Sequence, residues 1–129
     1  MLERIDPSLA FQAEALKLRS QRQQLLATNI ANADTPQFKA VDFDFARALS
    51  DATRAAQRNA SDSSSASAST ASKPVLDIQQ RVGTKASLDG NSVDMDIERV
   101  QFLDNSLRYE ATLRFLNGKL KTLLSAIQG

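Results

Sequence analysis

The sequence predicts a mainly α fold: long N- and C-terminal helices forming a coiled-coil-like pair, with a flexible or weakly structured middle segment. Three observations carry this. A helix signal opens at Pro7, a heptad pattern runs from about Asp96 to Gln128, and a tract of Ser, Ala, Thr and Asp lies between them. With 129 residues the chain is at most one domain. Residues 1–50 are expected to hold the first helix, an elbow and the start of a second helix. Residues 51–74 read as a flexible Ser/Ala-rich linker, 75–95 as an extended or turn segment, and 96–129 as the C-terminal helix. Together they form one structural unit.

The first element is expected from Pro7 to about Asn32. Asp6 suits the N-cap, and Pro7 suits the first helical position because its missing N–H is unpaired there in any case. Such a helix is roughly 39 Å long. One face carries Leu9, Ala13, Leu16, Ala27 and Ile30, and another carries Phe11, Leu18 and Leu25. A surface helix needs one apolar stripe, so two imply burial on both sides. One other long helix does not cover both, which points to burial on assembly.

Residues 38–45 hold Phe38, Phe43 and Phe45, half of the six Phe in the chain. An Ala-rich stretch from about Asp44 to Asn59 has the propensity for a second, weaker helix. Ser61 to Ser72 has no side chain able to build a core. Val75, Ile78 and Val82 suit a short strand or extended chain, and Asp89-Gly90 reads as a turn.

The C-terminal helix is the strongest signal, at roughly 50 Å. Asp94 or Asp96 can cap it, and Glu98 favours its N-terminal end, as Lys119 and Lys121 favour its C-terminal end. Phe102, Tyr109, Leu116 and Leu123 recur every seven residues, as do Ser106, Leu113, Leu120 and Ile127, giving a 3-4 spaced seam. Val93, Ile97, Val100, Leu107 and Ala111 make a second stripe on another face. The packing residues expected across both helices are Leu16, Ile30, Leu107, Tyr109, Leu113, Leu116, Leu120 and Ile127.

Composition removes several function classes. There is no Cys and no His, so thiol chemistry, disulfides and the usual general base are absent. Asp94, Asp96 and Glu98 alternate like ligands but lack the glycine and distal Glu of a calcium loop, and capping explains them better. The expectation is no enzyme, no catalytic residue, no cofactor and no metal. A net charge of +1 with mixed signs argues against nucleic acid. No continuous apolar run suggests a membrane span or a secretory leader.

The most specific stretch is Asn29-Ile30-Ala31-Asn32-Ala33-Asp34-Thr35-Pro36. Asn32 can end a helix in a left-handed cap, and Pro36 forbids continuation and pushes Thr35 to an extended conformation. Asn29 lies three residues before Asn32, so both amides can face one side of the last turn and hold backbone of a partner segment. With Phe38-Lys39-Ala40, this string resembles the N-terminal signature of the bacterial flagellar axial proteins, the rod, hook and hook-junction subunits. Leu88-Asp89-Gly90-Asn91-Ser92-Val93-Asp94-Met95-Asp96, Asn105-Ser106-Leu107-Arg108-Tyr109, Leu116-Asn117-Gly118 and Ala126-Ile127-Gln128-Gly129 are similar to the short proximal-rod members of the flagellar basal-body rod protein family. Gln37 and Phe38 stand where that family usually has Gly and Tyr, and Ala86 where Pro is common. Without a glycine, the turn after Pro36 is expected to be an ordinary one.

The resemblance implies a structural subunit of the proximal rod of the flagellar basal body. Such a subunit is made in the cytoplasm, leaves by type III export without a cleaved signal peptide, and self-assembles through its terminal helices into a torque-transmitting hollow shaft. Implied partners are other rod subunits, the rod–membrane-ring junction protein, the export gate and further copies of itself. Asn29, Asn32, Asp34, Thr35 and Pro36 would set the assembly elbow. Phe45 and Leu49 match a Phe-x-x-x-apolar export signal, a spacing that ordinary helix packing also produces. The rival class is a cytoplasmic coiled-coil adaptor or export chaperone, which would be a stable folded dimer on its own. A rod subunit would be a monomer whose ends order on assembly.

Overall fold

The computed structural model describes residues 7–61, 76–81 and 88–129. Three helices, α1 (Pro7–Ala31), α2 (Phe45–Ser61) and α3 (Met95–Gln128), surround a minimal antiparallel ribbon of β1 (Val41–Asp42) and β2 (Gln79–Gln80). In the ribbon Val41 faces Gln80 and Asp42 faces Gln79.

α1 starts at the expected proline and ends one residue before Asn32; Asp6 lies outside the described residues. α3 starts after Asp94, whose carboxylate accepts the Asp96 N–H at 3.0 Å from an extended backbone. That bond satisfies one of the amides a helix start leaves unpaired. The two long helices lie antiparallel: Ser8 meets Lys119, Arg19 meets Asn105, and Asn29 meets Glu98. The long-helix pair is thus borne out.

The middle is more ordered than its composition suggested. α2 runs to Ser61, so the first part of the expected 51–74 linker is helical. Its amphipathic face explains this: Phe45, Ala48, Leu49 and Ala52 recur at helical spacing and pack with Leu18, Leu25, Phe43 and Leu76. Residues 62–75, and with them the rest of the linker and Val75, lie outside the described residues, as does Val82. Ile78 sits just before β2 and is exposed.

α1 therefore has two neighbours within its own chain, α3 and α2. The expectation that burial on a second side waits for assembly is corrected for part of that face: α2, folded back across the helix, covers Leu18 and packs with Leu25, whereas Phe11 is exposed. Burial falls on Leu9, Ala15, Leu18, Leu26 and Asn29, whereas Leu16 and Ile30 are only half-buried and Ala13 and Ala27 are exposed.

Candidate functional site

The elbow after α1 is built by side-chain amides that bind backbone. The Asn29 amide is fully buried. Its oxygen accepts the Val41 N–H at 3.0 Å, and its nitrogen donates to the Val41 carbonyl at 2.8 Å and to Glu98 Oε2 at 3.2 Å. An amide has one acceptor end and one donor end, so it can pair with a peptide as a neighbouring strand would. It fixes β1 against the last turn of α1 and joins both to α3. The expectation that this amide holds backbone of another segment matches the geometry.

Asn32 acts nearer home. Its amide donates to the Thr28 carbonyl at 2.8 Å, and its oxygen accepts the Thr35 hydroxyl at 3.1 Å. Asp34 and Pro36 are exposed at the turn, and Thr35 is exposed apart from that bond. Asn91 supplies the longer-range tie. Its Nδ2 lies 2.9, 2.8 and 2.7 Å from the carbonyls of Asn32, Ala33 and Thr35, and its Oδ1 accepts the Val93 N–H. One buried amide thus gathers three carbonyls of the helix end.

The turn after Pro36 is not ordinary. Gln37 has φ +64, the left-handed conformation that a side chain disfavours by about 1–2 kcal/mol. Its N–H donates to the Asp89 carbonyl at 2.9 Å, and its backbone and side chain lie against Gly90, itself at φ +77. Contacts to the 88–94 segment hold Gln37 where a glycine would sit without strain.

Below the elbow lies an ionic cluster. Arg22 reaches both oxygens of Asp42 at 3.1 Å and the Gln101 side chain at 2.9 Å. Arg81 donates to Asp42 at 2.8 Å and to Glu98, whose side chain is almost wholly buried. Burial pushes the Asp42 carboxyl up, and hydrogen bonds from Arg22 and Arg81 together overcome it, holding the group below the usual carboxylate range. Charges this deep need partners, and two guanidiniums interleaved with two carboxylates supply them. Glu98 is therefore an ion-pair residue in addition to its place near the helix start.

Further along, the interface between α1 and α3 is polar as well. Asn105, fully buried, donates to the Arg19 carbonyl at 2.9 Å and to Gln23 Oε1 at 2.7 Å, while Gln23 donates to Ser106 at 2.6 Å. The Arg19 guanidinium sits 3.9 Å over the Phe45 ring. Among the described residues every buried side-chain polar atom has a partner.

The α3 row that meets α1 is Glu98, Asn105, Thr112 and Lys119 alternating with Phe102, Tyr109 and Leu116. This corrects the expected seam. Tyr109 and Leu116 are half-buried as part of it, but Leu113, Leu120 and Ile127 are exposed, as is Leu107. Phe45 and Leu49 are half-buried on the α2 core. Glu98, Asn105, Asn91, Asp42, Arg22 and Arg81 were not singled out from the sequence as site residues. A heptad of polar residues at 98, 105, 112 and 119 was the available signal.

Among the described residues no group of three or more acidic side chains is placed to hold a metal, and no helix is long and apolar enough to cross a membrane.

Comparison with known proteins covers the chain from end to end. Residues 9–39, which cover α1 from Leu9 onward and the elbow, match the family described as flagella basal body rod protein. The flagellar basal body rod protein FlgB of Salmonella typhimurium is 46% identical over 100% of this chain and 99% of its own length. FlgB of Escherichia coli is 44% identical, and FlgB of Yersinia enterocolitica 47%, each over 99% of this chain and 98% of the relative. A match of that identity over the whole length, covering both the Asn29–Pro36 elbow and the 88–96 segment that binds it, shows that the chain belongs to the FlgB family of flagellar basal body rod proteins.

Proposed function

We propose that this chain is a non-catalytic building block of the proximal rod of the flagellar basal body. The observation that carries the reading is the full-length similarity to FlgB proteins. The fold supports it. Two antiparallel helices, clamped by buried amides and ion pairs, form a stiff hairpin, and large apolar side chains remain exposed along α3. A chain that only had to fold would gain by burying them, at roughly 1.5–3 kcal/mol each.

In this reading the hairpin forms part of the wall of a hollow, torque-transmitting shaft. Asn29, Asn32, Asp34, Thr35 and Pro36 set the angle at which the wall helix turns out toward neighbouring subunits. Partners are other rod subunits, further copies of this chain, the rod–membrane-ring junction protein and, during type III export, the export gate. Phe45 and Leu49 serve the gate before folding and the α2 core afterwards. Phe45→Ala should then lower the amount of chain leaving the cytoplasm, and unchanged export would remove that role. The experiment for the whole reading is immunogold labelling of purified basal bodies with an epitope-tagged chain. Gold at the membrane-proximal rod supports it; a tagged chain found only in the cytoplasm contradicts it.

A further inference from the structure

We infer that Arg19, on a groove between α1, α3 and the start of α2, receives a carboxylate side chain brought by a neighbouring protein. This goes beyond the rod-subunit reading and rests on it only for the setting in which the neighbour is met.

Three arginines are half-buried among the described residues: Arg19, Arg22 and Arg81. Arg22 holds Asp42, and Arg81 holds Asp42 and Glu98. Arg19 holds no carboxylate. Its one side-chain hydrogen bond among the described residues runs from Nη1 to Asn105 Oδ1 at 3.4 Å, a long contact with a neutral group. A cation drawn partly out of water needs an opposite charge, and the fold supplies one to the other two arginines only.

The surroundings do not neutralise it. The Arg19 pKa is lowered, first by burial and then by Arg108 and Arg22, against which Asp104 acts more weakly. Asp104 is itself taken, because Arg108 Nε donates to its carboxylate at 3.0 Å. Asp44, the other acid on the groove, accepts the Arg47 N–H at the start of α2 at 3.2 Å. With these bonds made, Arg19 is the cation left over.

The guanidinium is also held ready. It lies 3.9 Å over the Phe45 ring. Such stacking fixes its plane and leaves its edge, where the N–H donors sit, for a planar acceptor. The groove has a volume of about 420 Å³, with Phe43 and Ala46 among its walls, which is room for a side chain and the backbone that carries it. One leftover cation matches one negative charge, and Asp44 and Asp104 along the same walls oppose a second. That favours a carboxylate over a phosphate. A free carboxylate gains little from one partly exposed cation. The ligand is therefore an Asp or Glu side chain whose neighbours add contact within the groove.

Thermal unfolding of the full chain tests the ligand class. Sodium acetate replaces sodium chloride at fixed ionic strength, for the parent chain and for Arg19→Gln. A ligand of the folded state raises the midpoint, whereas general salt effects act on both chains alike. The midpoint should rise more in the parent chain than in Arg19→Gln. Equal rises overturn the inference, and so does a larger Arg19-dependent rise with phosphate than with acetate.

Cross-linking tests the source. Ala46 is exposed, and Ala46→Lys puts an amine on the groove wall with Arg19 intact. Carbodiimide treatment of purified basal bodies should join position 46 by an amide to an Asp or Glu of another chain, identified by mass spectrometry. Adding Arg19→Gln should cut that product several-fold. Products confined to Asp44 or Asp104, or unchanged by Arg19→Gln, overturn the inference. Should a variant be missing from the rod, the unfolding comparison decides. Absence of the tagged parent chain from basal bodies would instead count against the rod reading.

Discussion

Asn29 pairs with Val41 through both ends of one amide, at 3.0 and 2.8 Å, and the same amide nitrogen touches Glu98 at 3.2 Å. A helix end, a strand and the opposite helix thus meet at a single side chain. Asn29→Ala should cost about 1–3 kcal/mol, because it leaves buried backbone groups unpaired. Urea unfolding followed by helical circular dichroism measures it. Asn29→Asp should cost at least as much at neutral pH, since a second carboxylate would face Glu98, and the deficit should shrink on acidification.

Arg81 is the only cation bonded to Glu98 among the described ion pairs. Arg81→Leu strands a buried carboxylate and should destabilise the hairpin by about 3 kcal/mol. The double variant Arg81→Leu with Glu98→Leu should recover part of that loss. Equal stability of Arg81→Leu and the double variant would show that the carboxylate left behind carries no penalty.

Asp42 gives the fold an acid limb. Its pKa in the folded chain lies below the unfolded value, so its contribution is fully present above the ordinary carboxylate range and is lost as pH falls through the folded pKa. Stability should therefore drop on acidification, and Asp42→Asn should flatten that drop while lowering stability at neutral pH. A pH series of urea midpoints checks both.

Gln37→Gly should stabilise the elbow by about 0.5–1 kcal/mol, the left-handed strain relieved less the backbone freedom a glycine loses on folding. Gln37→Val should act oppositely and more strongly, because a branched side chain tolerates φ +64 poorly. Thermal unfolding of both variants tests the sign.

Asn91→Ala removes contacts to three carbonyls at once. The expected outcome is normal synthesis with few assembled rods, scored by motility and by electron microscopy. Asn32→Ala, which loses shorter-range bonds, should show a milder form of the same defect.

Much of the helical frame was legible in the sequence because caps and periodicity are local. Pro7 and Asp94 mark helix starts by their own backbone chemistry, and the 3-4 rows of α3 mark its length. The outward stripe at Ile97, Val100, Leu107 and Ala111 was legible for the same reason. The intramolecular seam was not. A search for apolar rows passes over half-buried Lys119, which meets Ser8, and over Glu98 and Asn105, whose burial is tolerable only because Arg81, Gln23 and Arg19 arrive from distant parts of the chain. Gln37 misled for a related reason. Residue type argued against a left-handed turn, and the contact with Gly90 outweighed that preference. At Asn29 the motif marked the residue, but its partners Val41 and Glu98 emerged only once the chain had folded back.

The most direct test of the central claim is electron microscopy of basal bodies from cells lacking this chain. Membrane rings without a rod, in non-swimming cells rescued by the intact gene, are the predicted result. Complete rods and hooks in those cells would contradict it.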